Sequence, residues 1–312
     1  MRPSLGALLL VVGWGSAEAQ EPEAKTVPEV AAAISLGLSP DGKTLAIVYS
    51  PAVAKSALGF WSLPDLKELR KVPSVPFGMS SLAFFPDGKT LIAGGFEPKL
   101  LAWNVEDGKE LASVTLTQGV INMQVSPDGK SMLAPGDPVV VWDTSTWKER
   151  GTIKPGGLSV AFQPGTRMVA VAGGRSVKFW DMDSWKESRS LDVMAFQIAM
   201  APDGKLMATG AGPQGVTLVE LASGKVVRTL KEDPPSPMAR FEFCAGGKVL
   251  VKANTDQTVT LFDVDTGKVL RKVKTPGTDN FKVHSLRVTP DGKTFAWVTS
   301  DRPSAVKVLR LE

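Results

Sequence analysis

The sequence predicts an all-β fold in which seven four-stranded antiparallel sheets stand as blades around one axis. Three observations carry this. Pro-Asp-Gly-Lys stands at residues 40–43, 86–89, 127–130, 202–205 and 290–293, and worn copies at 164–167 (Pro-Gly-Thr-Arg) and 245–248 (Ala-Gly-Gly-Lys) fill the two gaps. Successive copies lie 37 to 46 residues apart, a period typical of arrays whose units bury their faces against one another. Between copies, short runs alternate apolar and polar residues and are rich in β-branched and aromatic side chains, with no long helical periodicity. Seven copies give seven blades, hence a seven-bladed β-propeller.

At the N-terminus, Arg2 precedes an apolar run at residues 5–12 and the small-residue end Ala17-Glu18-Ala19. This is the pattern of a secretory signal peptide, residues 1–19, cut between Ala19 and Gln20. The expected location is therefore periplasmic or secreted. The run is too short to span a bilayer, and no later segment is long and apolar enough to do so. Residues 20–30 form an N-terminal segment and residues 31–312 the propeller. Over the 312 residues, 43% hydrophobic content and a mean hydropathy of +0.02 describe an ordinary globular chain. The net charge of +4 is scattered, which argues against nucleic acid as a partner. Cys244 is the only cysteine, excluding an intrachain disulfide, and reads as a small buried hydrophobe.

The repeat is clearest at residues 80–116. A strand at 81–85 meets the turn at 86–89, a second strand follows at 90–94, a third at 100–105 and a fourth at 110–116. In the turn, Pro presets φ, Asp bonds its own backbone and Gly takes the left-handed position, the chemistry of a tight hairpin with a Gly bulge. The last copy stops after a third strand at 306–311, and the segment at 24–30 is expected to supply its fourth. Pro28 there removes one ladder donor, which an outermost strand tolerates.

Each third strand ends in a pair: Trp61-Ser62, Trp103-Asn104, Trp142-Asp143, Trp180-Asp181, Val219-Glu220, Phe262-Asp263 and Leu309-Arg310. With the Ser-Pro-Asp-Gly-Lys turn, these resemble the Trp-Asp (WD) repeat family over nearly all of residues 31–312, in a divergent, bacterial form. The resemblance implies an interaction platform that binds a protein partner. One departure is plain: the Gly-His pair before each inner strand is missing, so the family's buried His–Asp network is not expected.

Catalytic, cofactor and metal motifs are not found. His284 is the only histidine, which leaves no triad and no zinc cluster, and neither a P-loop nor a dinucleotide Gly motif occurs. The expectation is a non-enzymatic protein without cofactor or metal, and a monomer. Trp147 and Trp185 hold one register position after the third strand, shared with Leu66, and read as residues packed under a turn. Lys268, Arg271, Lys272 and Lys274 fall on an outer strand, where charges guard against sheet-to-sheet pairing. The uniform turns mark a plain face. The irregular connections at 50–59, 72–80, 231–239, 274–284 and 299–305 mark the opposite one. Phe77, Asp279, Asn280, Phe281, His284 and Arg302 are its candidate partner-binding residues. A glycan- or small-molecule-binding propeller is the alternative. A metal-dependent lactonase- or hydrolase-type enzyme is a further one, but it needs several channel carboxylates, and the inner strands offer only Glu242.

Overall fold

A computed structural model describes residues 23–120, 122–210, 215–231, 240–254, 256–275, 286–299 and 302–311. In these residues the chain forms seven antiparallel sheets of four strands, here lettered a to d from the axis outward. Blade 1 is Ala33–Leu38, Thr44–Ala52, Lys55–Ser62 and Glu68–Val75. Blades 2 to 6 repeat this order along the chain. Blade 7 takes strands a to c from Leu286–Val288, Thr294–Val298 and Val306–Arg310, and its strand d is Lys25–Thr26. Lys25 pairs with Val308 and Thr26 with Lys307, and the Val27 N–H donates to the Val306 carbonyl at 2.9 Å. The N-terminal segment therefore closes the ring, in only two ladder residues, with Pro28 just beyond them.

Each blade is amphipathic on neither face, because both are covered. The buried apolar residues fall into seven clusters among the described residues, one per seam between blades. In the seam between blades 7 and 1, Val27 and Val30 pack with Val306, Val308, Ile47 and Trp61.

The a–b turns follow the expected chemistry. Gly42 has φ 71° and its N–H donates to the Ser39 carbonyl at 2.9 Å. Asp41 accepts from the Ser39 hydroxyl at 2.6 Å and from the Lys43 N–H at 3.0 Å. The polar residue after each third-strand Trp likewise serves its own hairpin. Asp143 accepts from the N–H and hydroxyl of both Ser145 and Thr146. Among the described residues, Trp61, Trp180 and Trp297 bury their Nε1–H without a hydrogen-bond partner, so no network ties these three indoles.

These turn bonds make stability pH-dependent. The Ser145 hydroxyl, then Thr146, hold the Asp143 carboxyl at about 2 against an ordinary 3.8. Ser126 and Thr289 lower Asp128 and Asp291 in the same way. A carboxyl depressed in the folded state binds fewer protons than in the unfolded chain, so its contribution is complete above 3.8 and lost as pH falls toward 2. The melting temperature is expected to drop across that window. Ser145→Ala/Thr146→Ala should make the drop shallower in thermal scans, and an unchanged slope would refute the assignment.

The c–d turns need a left-handed residue. Gly108, Gly224 and Gly267 supply it in blades 2, 5 and 6, with φ of 70°, 69° and 73°. Leu66, Trp147 and Trp185 hold the same slot at 57°, 57° and 58°, a conformation that costs a bulky residue on the order of 1–2 kcal/mol. The preceding blade's outer strand explains the choice. Arg70 lies over Gly108 and donates to the Val105 carbonyl at 2.9 Å. Arg228 lies over Gly267 and donates to the Thr266 carbonyl at 3.0 Å. Arg189 stacks on Phe179 and donates to the Leu221 carbonyl beside Gly224. Where that outer-strand position is Ala112 or Gly151, the next turn carries Trp147 or Trp185. A Cβ on Gly151 would stand 2.6 Å from the Trp185 ring. Arginine with glycine, or a small residue with tryptophan, fills the same volume.

Candidate functional site

Antiparallel up-and-down blades send their a–b and c–d turns to one face and their b–c and d–a connections to the other. The two faces differ in chemistry. Among the described residues, the exposed large apolar side chains outside the outer strands are Val53, Phe77, Phe96, Leu158, Met194 and Phe196. All six lie in b–c or d–a connections, the irregular face. Phe96 is 74% exposed, Leu158 65% and Phe77 62%. The remaining ones, such as Leu69, Leu111, Val227 and Leu270, sit on outer strands just past a register shift that follows the c strand's aromatic or apolar residue. Such bulges blunt an edge against pairing.

The connections on this face are held close together. Gly136 and Gly157 exchange backbone hydrogen bonds at 3.2 and 2.9 Å. A Cβ on Gly156 would come within 1.8 Å of the Gly136 carbonyl oxygen, so only glycine fits there. Gly174 and Ala195 are bridged in the same manner one blade on.

The axial channel opens beneath, enclosing about 710 Å3. Polar residues of the a strands stitch consecutive blades. The Met123 N–H donates to the Ser81 hydroxyl at 3.1 Å, and Gln124 Nε2 to the Val160 carbonyl at 2.8 Å. The Ile198 N–H donates to the Ser159 hydroxyl at 3.2 Å, and Gln197 Nε2 to the Phe241 carbonyl at 3.4 Å. Four successive seams are joined this way, from blade 2 to blade 6. Charge enters the wall only in blades 6 and 7 among the described residues, as Arg240, Glu242, Lys252 and Arg287. Arg240 reaches across to Asn122 Oδ1 of blade 3 at 3.5 Å. Burial, and then the Arg287 charge, lower the Arg240 guanidinium's affinity for its proton. Burial pushes the Glu242 carboxyl up, which Arg287 opposes. Cys244, at the end of the same strand, is buried and its thiol is pushed up to about 12 by burial and by Glu242. It is inert.

The expected site residues divide. Phe77 is exposed between strand d of blade 1 and strand a of blade 2, and Arg302 is exposed between strands b and c of blade 7. Asp279, Asn280, Phe281 and His284 lie outside the described residues, as do 232–239. One detail differs from expectation: the connection at 50–59 is mostly strand, since b runs to Ala52 and c restarts at Lys55. Arg240 belongs to an inner strand and lines the channel. The sequence reading missed Val53, Phe96, Leu158, Met194 and Phe196. The available signal was one apolar residue beside glycine or alanine in each connection, too short a cue for periodicity to register.

No protein-family model and no curated protein matches the chain.

Proposed function

We propose that this is an exported, non-enzymatic propeller of divergent bacterial WD type that binds a protein partner through its irregular face and acts as a monomer. One observation carries the reading: exposed apolar side chains gather on that face, pre-formed by glycine-tight loops, while the turn face has none among the described residues. Rigid aromatic anchors on a pre-organised surface are what an interface needs. The export part rests on the N-terminal pattern at residues 1–19. The non-enzymatic part is supported by a channel wall with Glu242 as its only acid among the described residues. No helix among the described residues is long and apolar enough to cross a membrane.

The face can be tested against its opposite. A pull-down from envelope extract with Phe77→Ser/Phe96→Ser should lose whatever the native protein retains by about tenfold or more, as loss of two hot-spot aromatics implies. A turn-face variant, Lys89→Glu/Lys130→Glu, should retain it. Equal recovery by both variants would reject the assignment.

A further inference from the structure

Two guanidiniums share one stretch of the channel with a single acid, Glu242, and neither is ion-paired to a described carboxylate. Among the described residues, the Arg240 side chain bonds only Asn122 Oδ1, at 3.5 Å, and Arg287 donates to its neighbour's carbonyl, Leu286 O, at 2.9 Å. No carboxylate of the described residues lies within ion-pair distance of either; the described ion pairs all lie elsewhere. Lys252 nearby has a bonding partner of its own. Two like charges in a half-enclosed wall oppose folding, since each loses water and repels the other.

The ring does not need charge at these positions. At that of Glu242 and Arg287, blades 1 to 5 carry Gly37, Ala83, Gln124, Ala161 and Ala199; at that of Arg240 they carry the uncharged polar residues Ser35, Ser81, Asn122, Ser159 and Gln197. The charged positions are thus an addition to the scaffold, localised to one side of the channel. Guanidinium is the group best matched to a planar oxyanion, which it holds through two parallel hydrogen bonds. Glu242 sits one blade before Arg287 in the same register and feels its charge. It leaves the site with room for one negative charge and disfavours two. Toward the irregular face the wall passes a polar ring of Ser81, Asn122, Ser159 and Gln197 and ends at the mouth in the exposed apolar side chains of Leu158 and Phe196.

We propose that Arg240 and Arg287 bind the carboxylate of a small organic acid whose apolar body lies along the channel toward Leu158 and Phe196. The cavity of about 710 Å3 falls in the range of small-molecule sites. Leu158 and Phe196 belong to both readings. The two arginines are not loop-face anchors, and Phe77 and Phe96 do not line the channel, so variants of each pair test one reading without the other.

The probe is 4-phenylbutyrate, measured by titration calorimetry beside its uncharged amide and inorganic phosphate. Phenylbutyrate should bind, the amide and phosphate at least about tenfold more weakly, and Arg240→Gln or Arg287→Gln should each cost about tenfold. Glu242→Gln should bind phenylbutyrate as well or better, and Phe77→Ser/Phe96→Ser should bind it unchanged. Ligand-free Arg240→Gln should melt at the native temperature or higher, because a group kept for binding is a burden to the empty fold. Equal binding of the amide, tighter binding of phosphate, unchanged affinity in Arg240→Gln, or no heat from phenylbutyrate at millimolar concentration would each overturn the proposal. A lower melting temperature for Arg240→Gln would also overturn it, by making that arginine a structural residue.

Discussion

Deleting residues 20–30 is expected to lower the melting temperature by about 10 °C or more, whereas deleting residues 20–22 alone should leave it unchanged. The longer deletion removes the pairing of Lys25 with Val308 and Thr26 with Lys307. It also removes the Lys307 Nζ bond to Thr26 Oγ1 at 2.6 Å. It takes two valines out of a core: Val27 is 1% exposed and Val30 8%. Each is worth about 1.5–3 kcal/mol on burial, and their loss exposes the flank of Val306 and Val308 and an unpaired strand edge. Against a total stability of about 5–15 kcal/mol, this is a large fraction. Differential scanning calorimetry of the two truncations decides it. Equal melting temperatures would mean that the ring holds without its N-terminal strand.

The second large effect is at the blade seams. Gly151→Arg should destabilise by about 2–4 kcal/mol, because the new side chain must enter the space that the Trp185 ring fills. Trp185→Gly alone should cost a similar amount, about 3 kcal/mol, since it empties that space while relieving the turn's left-handed strain. The double variant rebuilds the pair found as Arg70 with Gly108 and as Arg228 with Gly267. Its arginine can donate to the carbonyls of the next turn, as Arg70 does to Val105. It should therefore recover about half of the summed loss, a coupling of about 3 kcal/mol. Additive losses in thermal or denaturant unfolding would show that seam filling is not interchangeable.

The ring was legible because its determinants are local and repeated. Pro-Asp-Gly-Lys encodes a turn within four residues, and seven copies average out the worn ones at 164–167 and 245–248. Ring closure was legible by elimination, since the strand at Val306–Arg310 needed a neighbour. The shared slot of Leu66, Trp147 and Trp185 was legible as a register position, but not its reason. That reason lies in Gly151 and Ala112, some 34 or 35 residues upstream and one blade away. The channel charges were half legible. Counting acids on inner strands isolates Glu242, but the meeting of Arg240 with Arg287 depends on blades 6 and 7 being neighbours in space. The binding face was the least legible, because single exposed side chains such as Phe96 leave no pattern in one sequence.

Ring closure also governs when the molecule becomes complete. The bond from Lys307 to Thr26 spans 281 residues of chain, and Ser304 Oγ reaches the Ala33 carbonyl over 271. Each inner seam can form as soon as the next blade exists, but this one must wait for the last strand. Until then the flank of blade 1 bearing Leu45, Ile47 and Tyr49 has no cover. Contacts of such long separation form slowly, so the nascent chain passes through an open crescent with one sticky end. Once shut, the array has no free end from which blades can peel one at a time. Unfolding must first tear a seam in an intact circle, and the result is a molecule that is slow to make and slow to lose.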